Sequence, residues 1–220
     1  MTVALAAEPE VERLDLGAGA WVDVVRGWID DGDELHDHLA ERVPWRGSQV
    51  YRYDHYVQER RVGSFWKLGS PPPHPVLLDA QRWLQHRYHV RFDGCSLIRY
   101  RDGSDGQAFH RDRELRWLDE TLICVLSLGA RRPWLLRPRA NRHDHDLPAK
   151  GATHDFAPDS GDLLVMGGTC QVGWEHSVAY QPASAYGSRV SLQWRWTSRR
   201  GRPEVGANYR APRFYGRGGA

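Results

Sequence analysis

The sequence predicts a mainly β protein in which two sheets pack together and a few helices cover one face. Three observations lead there. From Ser96 onward, short apolar runs recur between glycine and aspartate turns, at 96–100, 122–128, 132–136, 162–166, 175–179 and 189–196. Before them lie only two segments with helical spacing. Residues 189–196 alternate, with Arg189, Ser191, Gln193 and Arg195 on one side and Val190, Leu192, Trp194 and Trp196 on the other. That is the pattern of a strand with one polar and one apolar face. Helices gathered in the first third, followed by many short strands, suit helices packed on one face of a two-sheet structure.

Each element has its own local signal. Residues 1–20 carry little regular pattern. Asp30-Asp31-Gly32-Asp33 reads as a turn, and Leu35, Leu39 and Val43 follow at four-residue spacing. The spacing predicts a short amphipathic helix with acidic residues near its positive N-terminal end, and Pro44 should stop it. Residues 48–69 are polar and aromatic, with Tyr51, Tyr53, Tyr56, Phe65 and Trp66, and suit either a two-stranded hairpin or a loop-rich lid over a cleft. Pro71-Pro72-Pro73 is a rigid break, beyond which Val76, Leu77, Ala80, Trp83 and Leu84 predict a helix over 75–86. Residues 137–160, rich in Arg, His, Asp and Pro, read as a polar insertion, and no internal repeat is visible.

A chain of 220 residues suits one substantial domain with irregular extensions. Its 30 basic and 28 acidic side chains leave a formal charge of +2, so the overall field selects no partner. Basic charge is instead local. Residues 199–220 hold six arginines, one glutamate and several glycines, a poorly packing tail suited either to phosphate contacts or to a solvated end. Among the ten tryptophans, Trp83 and Trp194 lie in periodic segments and read as core. Trp66 and Trp174 sit in glycine-flanked stretches and stay open for recognition. Cys95, Cys124 and Cys170 form no Cys-x-x-Cys pair, which indicates neither a structural zinc nor a disulfide framework. The N-terminus lacks a basic segment followed by an apolar one, and no apolar run reaches the roughly 18 residues that mark a membrane span. The expected setting is therefore a reducing cytoplasm, with no membrane association and no obligate protein partner.

His110-Arg111-Asp112 places two possible metal ligands at i and i+2, which share a face on an extended segment. A third ligand need only come from a neighbouring strand, and His176 offers it within the strand-like run 172–179. Two histidines and a carboxylate occupy one face of an octahedron and leave three positions for a bidentate organic acid and dioxygen, the arrangement of non-haem Fe(II) oxygenases. The His-x-Asp triplet alone is equally compatible with a polar loop before a strand. The downstream context adds weight: Gly161-Asp162 turns into Leu163-Leu164-Val165-Met166, and Gly167-Gly168 ends that run near the return of His176. Arg189 and Arg195 then share the polar face of the last strand. Facing inward, two guanidiniums need anionic partners, and a dicarboxylate would satisfy at least one by bidentate pairing. Facing outward, they would simply be solvated.

These segments together resemble the AlkB-type iron(II)/2-oxoglutarate-dependent dioxygenases, the oxidative nucleic-acid dealkylases. The similarity runs from about Leu97 to Trp196, with weaker agreement from Val25 to Trp45. Its pieces are Leu97-Ile98-Arg99-Tyr100-Arg101-Asp102-Gly103, His110-Arg111-Asp112-Arg113-Glu114, Ser127-Leu128-Gly129-Ala130-Arg131-Arg132, Gly161 through Gly168, Trp174-Glu175-His176, and Arg189 through Arg195. The resemblance implies a double-stranded β-helix, or jelly roll, flanked by helices. It implies one domain over 1–198, with helical and lid elements at 20–95 and the jelly-roll core at 96–198, before the basic tail at 199–220. It assigns His110, Asp112 and His176 as iron ligands and Arg189 as partner of the distal carboxylate of 2-oxoglutarate, with Tyr100 hydrogen-bonding to that group. Arg195 becomes a second arginine nearer the C1 carboxylate, and Glu114 falls where family members place a carboxylate near the target base. Ile98 stands in place of an asparagine that reaches the cosubstrate, Ser191 in place of another, and Gln193 in place of a threonine. Ser191 and Gln193 are able to replace part of the lost hydrogen bonding; Ile98 is not. The lid segment Tyr56-Val57-Gln58-Glu59-Arg60-Arg61 keeps the family pattern poorly.

The implied chemistry uses Fe(II), with 2-oxoglutarate and dioxygen as cosubstrates, to oxidise an N-methyl group of alkylated DNA or RNA to formaldehyde. The target base must leave the stack, and Tyr56, Phe65 and Trp66 are candidates to hold it, with Trp174 as a wall of the iron pocket. Arg60, Arg61 and the tail are candidates for phosphate contacts. Two other readings stand beside this one. One is a hydroxylase of a small molecule or protein side chain with the same iron chemistry; the other is a non-catalytic jelly-roll binding module, against which the complete ligand set and both arginines weigh.

Overall fold

The computed structural model describes residues 3–49, 54–112, 115–139 and 152–200, and the backbone alone at 50–52 and 213–215. The patternless N-terminal stretch forms strands: β1 (Ala4–Leu5), β2 (Glu12–Gly17), β3 (Ala20–Val25) and β4 (Ile29–Asp30). Within residues 1–20 the pattern is absent because β2 is exposed at nearly every position, and the following β3, buried on both faces, shows no alternation either. Its Asp23 is wholly buried, held by a two-pronged contact from Arg13 at 2.6 and 2.8 Å and by the Tyr88 hydroxyl at 2.9 Å.

Helix α1 (Gly32–Arg42) begins at the predicted turn, with Asp33 and Glu34 in its first turn and Arg42 in its last. It buries Leu35 and Leu39 and stops at Val43, ahead of Pro44. Strands β5 (Arg46–Arg52) and β6 (His55–Lys67) pair as an antiparallel hairpin, which decides between the two alternatives for 48–69. Helix α2 (Val76–Tyr88) buries Leu77, Ala80, Gln81 and Leu84, and Gln81 accepts a hydrogen bond from Trp194 Nε1 at 3.1 Å. Most of the remaining strands fall on the predicted runs; those at 107–110 and 154–155 do not, and the second lies in the segment read as a polar insertion. In chain order they are β7 (Gly94–Tyr100), β8 (Gln107–His110), β9 (Thr121–Gly129), β10 (Leu135–Pro138) and β11 (His154–Asp155). After them come β12 (Leu163–Gly168), the single turn α3 (Cys170–Gly173), β13 (Trp174–Val178) and β14 (Arg189–Thr197). Strand β15 (Arg213–Tyr215) pairs with β5, so part of the expected tail belongs to the sheet. The rest of that tail after 200, and residues 140–151 of the polar insertion, lie outside the described residues.

A nine-stranded sheet in the order β15-β5-β6-β7-β14-β9-β12-β3-β2 faces a four-stranded sheet in the order β11-β10-β13-β8. This is the double-stranded β-helix expected from the sequence, flanked by short helices. The larger sheet recruits β2, β3, β5 and β6, so β core is not confined to 96–198 as the sequence suggested. Its outer face carries Leu126, Leu128, Val190, Leu192 and Trp194, covered by α1 and α2. Its inner face carries Ile123, Val125, Leu164 and Met166, packed on Trp134, Leu136 and Val178 of the smaller sheet and its approach. The alternation of β14 therefore divides core from interior cleft.

Pairing of β6, β7, β14 and β9 lines inner-face residues up in rows. Gly63, Ile98, Ser191 and Ser127 form one, and Phe65, Ser96, Gln193 and Val125 the next. Tyr100 pairs with Arg189 at one end of this surface, and Arg195 with Ile123 at the other. The end of β12 is closed by Gly168, whose φ of +63° suits glycine and whose added Cβ would lie 2.0 Å from the Gly19 carbonyl oxygen. Gly168→Ala should destabilise the fold by about 1–3 kcal/mol through strain and overpacking, read as a lower urea midpoint with unchanged slope.

Candidate metal and cosubstrate site

His110 ends β8 and pairs directly with His176 on β13, which brings the two imidazoles to a centroid separation of 4.2 Å. The chain then leaves the strand, and Asp112 turns back toward both rings. His110 Nε2 lies 3.4 Å and His176 Nε2 3.9 Å from Asp112 Oδ1. One ligating atom from each residue falls within 4.8 Å of the others, and among the described residues this is the one such group of three. His110 Nδ1 donates to the Ala108 carbonyl at 2.9 Å when the ring is neutral, which leaves the Nε2 lone pair for a metal. Burial pushes the His176 imidazole down to about 3, with the neighbouring His110 adding to the effect, so the ring is neutral and able to ligate. Burial works against the Asp112 charge, but Arg195 and His110 outweigh it and hold its carboxyl well below the usual range. Two imidazoles and an anionic carboxylate are the donor set that Fe(II) takes in oxygenases.

Residues that the sequence did not single out hold these ligands. Gln171, buried in α3, accepts a hydrogen bond from the Asp112 backbone N–H at 2.8 Å through Oε1, and its carbonyl accepts from Arg111 Nη1 at 3.0 Å. The turn leading into the His176 strand is thereby tied to the Asp112 segment. Trp134 stacks on His176 at a centroid distance of 5.5 Å and 13° between planes. Its only sequence signal was an apolar aromatic inside a predicted strand. Gln171 had none, because its role depends on a contact 59 residues away.

The two arginines of β14 have different partners. Arg195 Nε donates to Asp112 Oδ2 at 2.7 Å, Nη1 to Ser96 Oγ at 3.3 Å, and Nη2 to Gln193 Oε1. Its anion is thus the protein's own metal ligand. Arg189 is fully buried, and Nη2 donates to Ser127 Oγ at 2.7 Å, while Nε and Nη1 find no partner among the described residues. Burial pulls its guanidinium down to about 10, with Tyr100 opposing and Arg132 adding to the shift, so it stays charged at neutral pH. A buried cation with unused donors fits a bound carboxylate.

A cavity of about 620 Å³ lies between the sheets and contains all three metal ligands together with Tyr100, Ser191, Gln193, Arg195, Ile98, Arg61 and Phe65. Phe65 stands at its edge, 61% exposed. The other aromatic candidates do not line it. Trp66 is only 4% exposed because its neighbour on β6 faces the cavity, and alternation sends Trp66 into the opposite, helix-covered core, where Nε1 donates to the Ser70 carbonyl. Trp174 pairs with Pro138 at the start of β13 and packs near the His154 ring, outside the cavity. Tyr56 lies toward the hairpin tip, 45% exposed and away from the cavity lining. Glu114 lies outside the described residues.

The model of the 2OG-Fe(II) oxygenase superfamily matches residues 33–195. The chain belongs to that superfamily. It is 30% identical to the DNA oxidative demethylase ALKBH2 of Arabidopsis thaliana, over 85% of this chain and 69% of that protein. It is 26% identical to the alpha-ketoglutarate-dependent dioxygenase alkB homolog 3 of Bos taurus, over 69% of this chain, and spans 58% of that relative's length. A prolyl hydroxylase from Trichoplax adhaerens, solved with a hypoxia inducible factor peptide, shares the fold at TM-score 0.55 and 13% identity, over 79% of this chain and 82% of that one. Among the described residues no helix is long and apolar enough to cross a membrane. For this oxygenase the ligand triad and the unused donors of Arg189 fit Fe(II) and 2-oxoglutarate.

The Gln171 contact gives a direct test of how the triad is held. Gln171→Leu should keep the fold but lower Fe(II) affinity about 10- to 100-fold, the usual scale for losing a supporting hydrogen bond. Asp112→Ala should weaken retention further. Anaerobic metal titration, with Co(II) absorption as a second readout, measures both, and equal affinity in the Leu variant would separate Gln171 from the site.

Proposed function

We propose that this oxygenase oxidatively removes N-alkyl groups from nucleobases in DNA or RNA. The carrying observation is the form of the cavity: an exposed flat ring, Phe65, at its edge and the ligand triad of His110, Asp112 and His176 within it. Aromatic faces of this kind hold an extruded base. The similarity to a DNA oxidative demethylase supports the same reading. Arg46 lines the hairpin side of the cavity and Arg60 is exposed on β6, both suited to backbone phosphates.

Each wall has a task under this reading. Arg189, anchored by Ser127, pairs its remaining donors with the distal carboxylate of 2-oxoglutarate, and the Tyr100 hydroxyl donates to the same group. Ser191 supplies a hydroxyl on the adjoining row. Arg195 keeps Asp112 charged and oriented toward the two histidines, while Trp134, Ile123 and Val125 exclude water around them. Bound iron, with 2-oxoglutarate and dioxygen, supplies the oxidation of N–CH3 to N–CH2OH, with 2-oxoglutarate leaving as succinate and carbon dioxide. The hydroxymethyl group then releases formaldehyde and the free base nitrogen.

The test is formaldehyde release, dependent on 2-oxoglutarate, from methylated single- and double-stranded DNA and RNA. Consumption of 2-oxoglutarate with no formaldehyde from any of them would replace this reading by hydroxylation of a small molecule or protein side chain. Arg189→Lys keeps the charge but loses the planar fork. We expect its KM for 2-oxoglutarate to rise about tenfold, the loss of roughly one charge-assisted hydrogen bond, with metal affinity unchanged.

A further inference from the structure

Ile98 faces the cavity where a hydrogen-bonding amide would be expected, and its neighbour across β6 is Gly63, which carries no side chain. That row of the floor therefore offers the cosubstrate no donor from β6 or β7. The next row does. Arg61 and Tyr100 follow directly on the Val62–Arg99 pair, and Tyr100 pairs with Arg189, so two guanidiniums flank one phenol across three neighbouring strands.

Arg61 is held in place from behind. Its Nη2 donates to Glu59 Oε1 at 3.3 Å, and Glu59 Oε2 accepts from Ser48 Oγ. Its Nη1 donates to the Tyr100 hydroxyl oxygen at 3.5 Å. The side chain is 9% exposed and lines the cavity. Burial disfavours its charge, but Tyr100 and Glu59 beside it outweigh that and raise its pKa. A phenol has one proton. With Arg61 donating to its oxygen, Tyr100 cannot direct that proton at Arg61, which leaves it for a group bound by Arg189 on the neighbouring strand.

We infer that Arg61 is a positioning residue for the cosubstrate, aiming the Tyr100 proton at the distal carboxylate and replacing the hold that Ile98 has given up. Because Glu59 neutralises much of the Arg61 charge, the effect runs through this hydrogen bond more than through long-range attraction. The inference rests on 2-oxoglutarate being the cosubstrate. It goes further by placing a third element, the β5–β6 hairpin, in the cosubstrate pocket.

Calorimetric titration of 2-oxoglutarate into anaerobic Mn(II)-loaded protein tests it without turnover. Arg61→Met should weaken binding about tenfold, the scale of one hydrogen bond to a charged group, with Mn(II) affinity unchanged. Arg61→Lys, which retains a donor, should recover most of the loss. In a Tyr100→Phe background, Arg61→Met should add little, since the group it acts through is gone. If Arg61→Met is unstable because the Glu59 carboxylate loses the cation beside it, the double change Arg61→Met with Glu59→Gln removes both charges and carries the same expectation. Unchanged affinity in these variants, or losses that simply add to that of Tyr100→Phe, would overturn the inference. Absence of 2-oxoglutarate binding to the wild-type protein would instead overturn the cosubstrate assignment beneath it.

Discussion

Asp112 is a carboxylate almost cut off from water, at 2% exposure, and it must stay ionised to ligate a metal. The Arg195 guanidinium 2.7 Å away makes that possible, and its position constrains much of the fold. Arg195 must sit on the inner face of β14 near its C-terminal end, so β14 must run through the middle of the larger sheet with that face toward β8 and β13. Losing one member of such a buried pair typically costs about 3–5 kcal/mol, because the other is stranded. The pair is thus better understood as a device for holding charge at the metal than as a net source of stability.

The two sheets divide the labour around this pair. The smaller sheet delivers both histidines through one strand pairing, His110 beside His176. The larger sheet supplies the interior floor, on which polar residues of β7 and β14 alternate with an outer face sealed by α1 and α2. The paired histidines and the arginines of β14 consequently sit on opposite walls of one cleft. Beside the apolar packing between the sheets, two contacts join the walls at the triad: Arg195 to Asp112, and Trp134 stacked on His176. Arg132 braces one end of the cleft from beneath, donating to the carbonyls of Asp102, Gly103, Asp105 and Ala179, with its guanidinium 5.5 Å from the Tyr100 ring centroid.

Where periodicity was regular, local pattern and structure agree: α1, α2 and the strands β7, β9, β12, β13 and β14 follow from spacing, turns and breaks, whereas the short β8 and β11 do not. β3 escaped because both of its faces are buried, which erases the period-two signal. Trp66 illustrates the opposite difficulty. It and Phe65 are adjacent, both aromatic and both in a polar stretch, yet one lines the cavity and the other the core. Nothing in the local sequence says which phase of the alternation faces in; the pairing of β6 with β7 decides it. Trp174 failed as a pocket wall for a different reason: two residues before His176 on β13 it shares that face, but it sits at the first position of the strand, opposite Pro138 and beyond the cavity lining.

By itself the sequence determined the chemistry available to this protein: two histidines, an aspartate and two arginines in an order and spacing that a jelly roll can bring together. These are short-range facts, set by side-chain type and by the alternation of single strands. Only the tertiary structure decided how those groups are partnered. It tied Arg195 to the protein's own Asp112, left Arg189 with donors to spare, and brought Gln171 and Arg61 into the site from distant segments. The physical reason is that burial makes every charge and donor depend on its nearest partner, and which partner is nearest is a property of strand register and sheet packing rather than of local sequence.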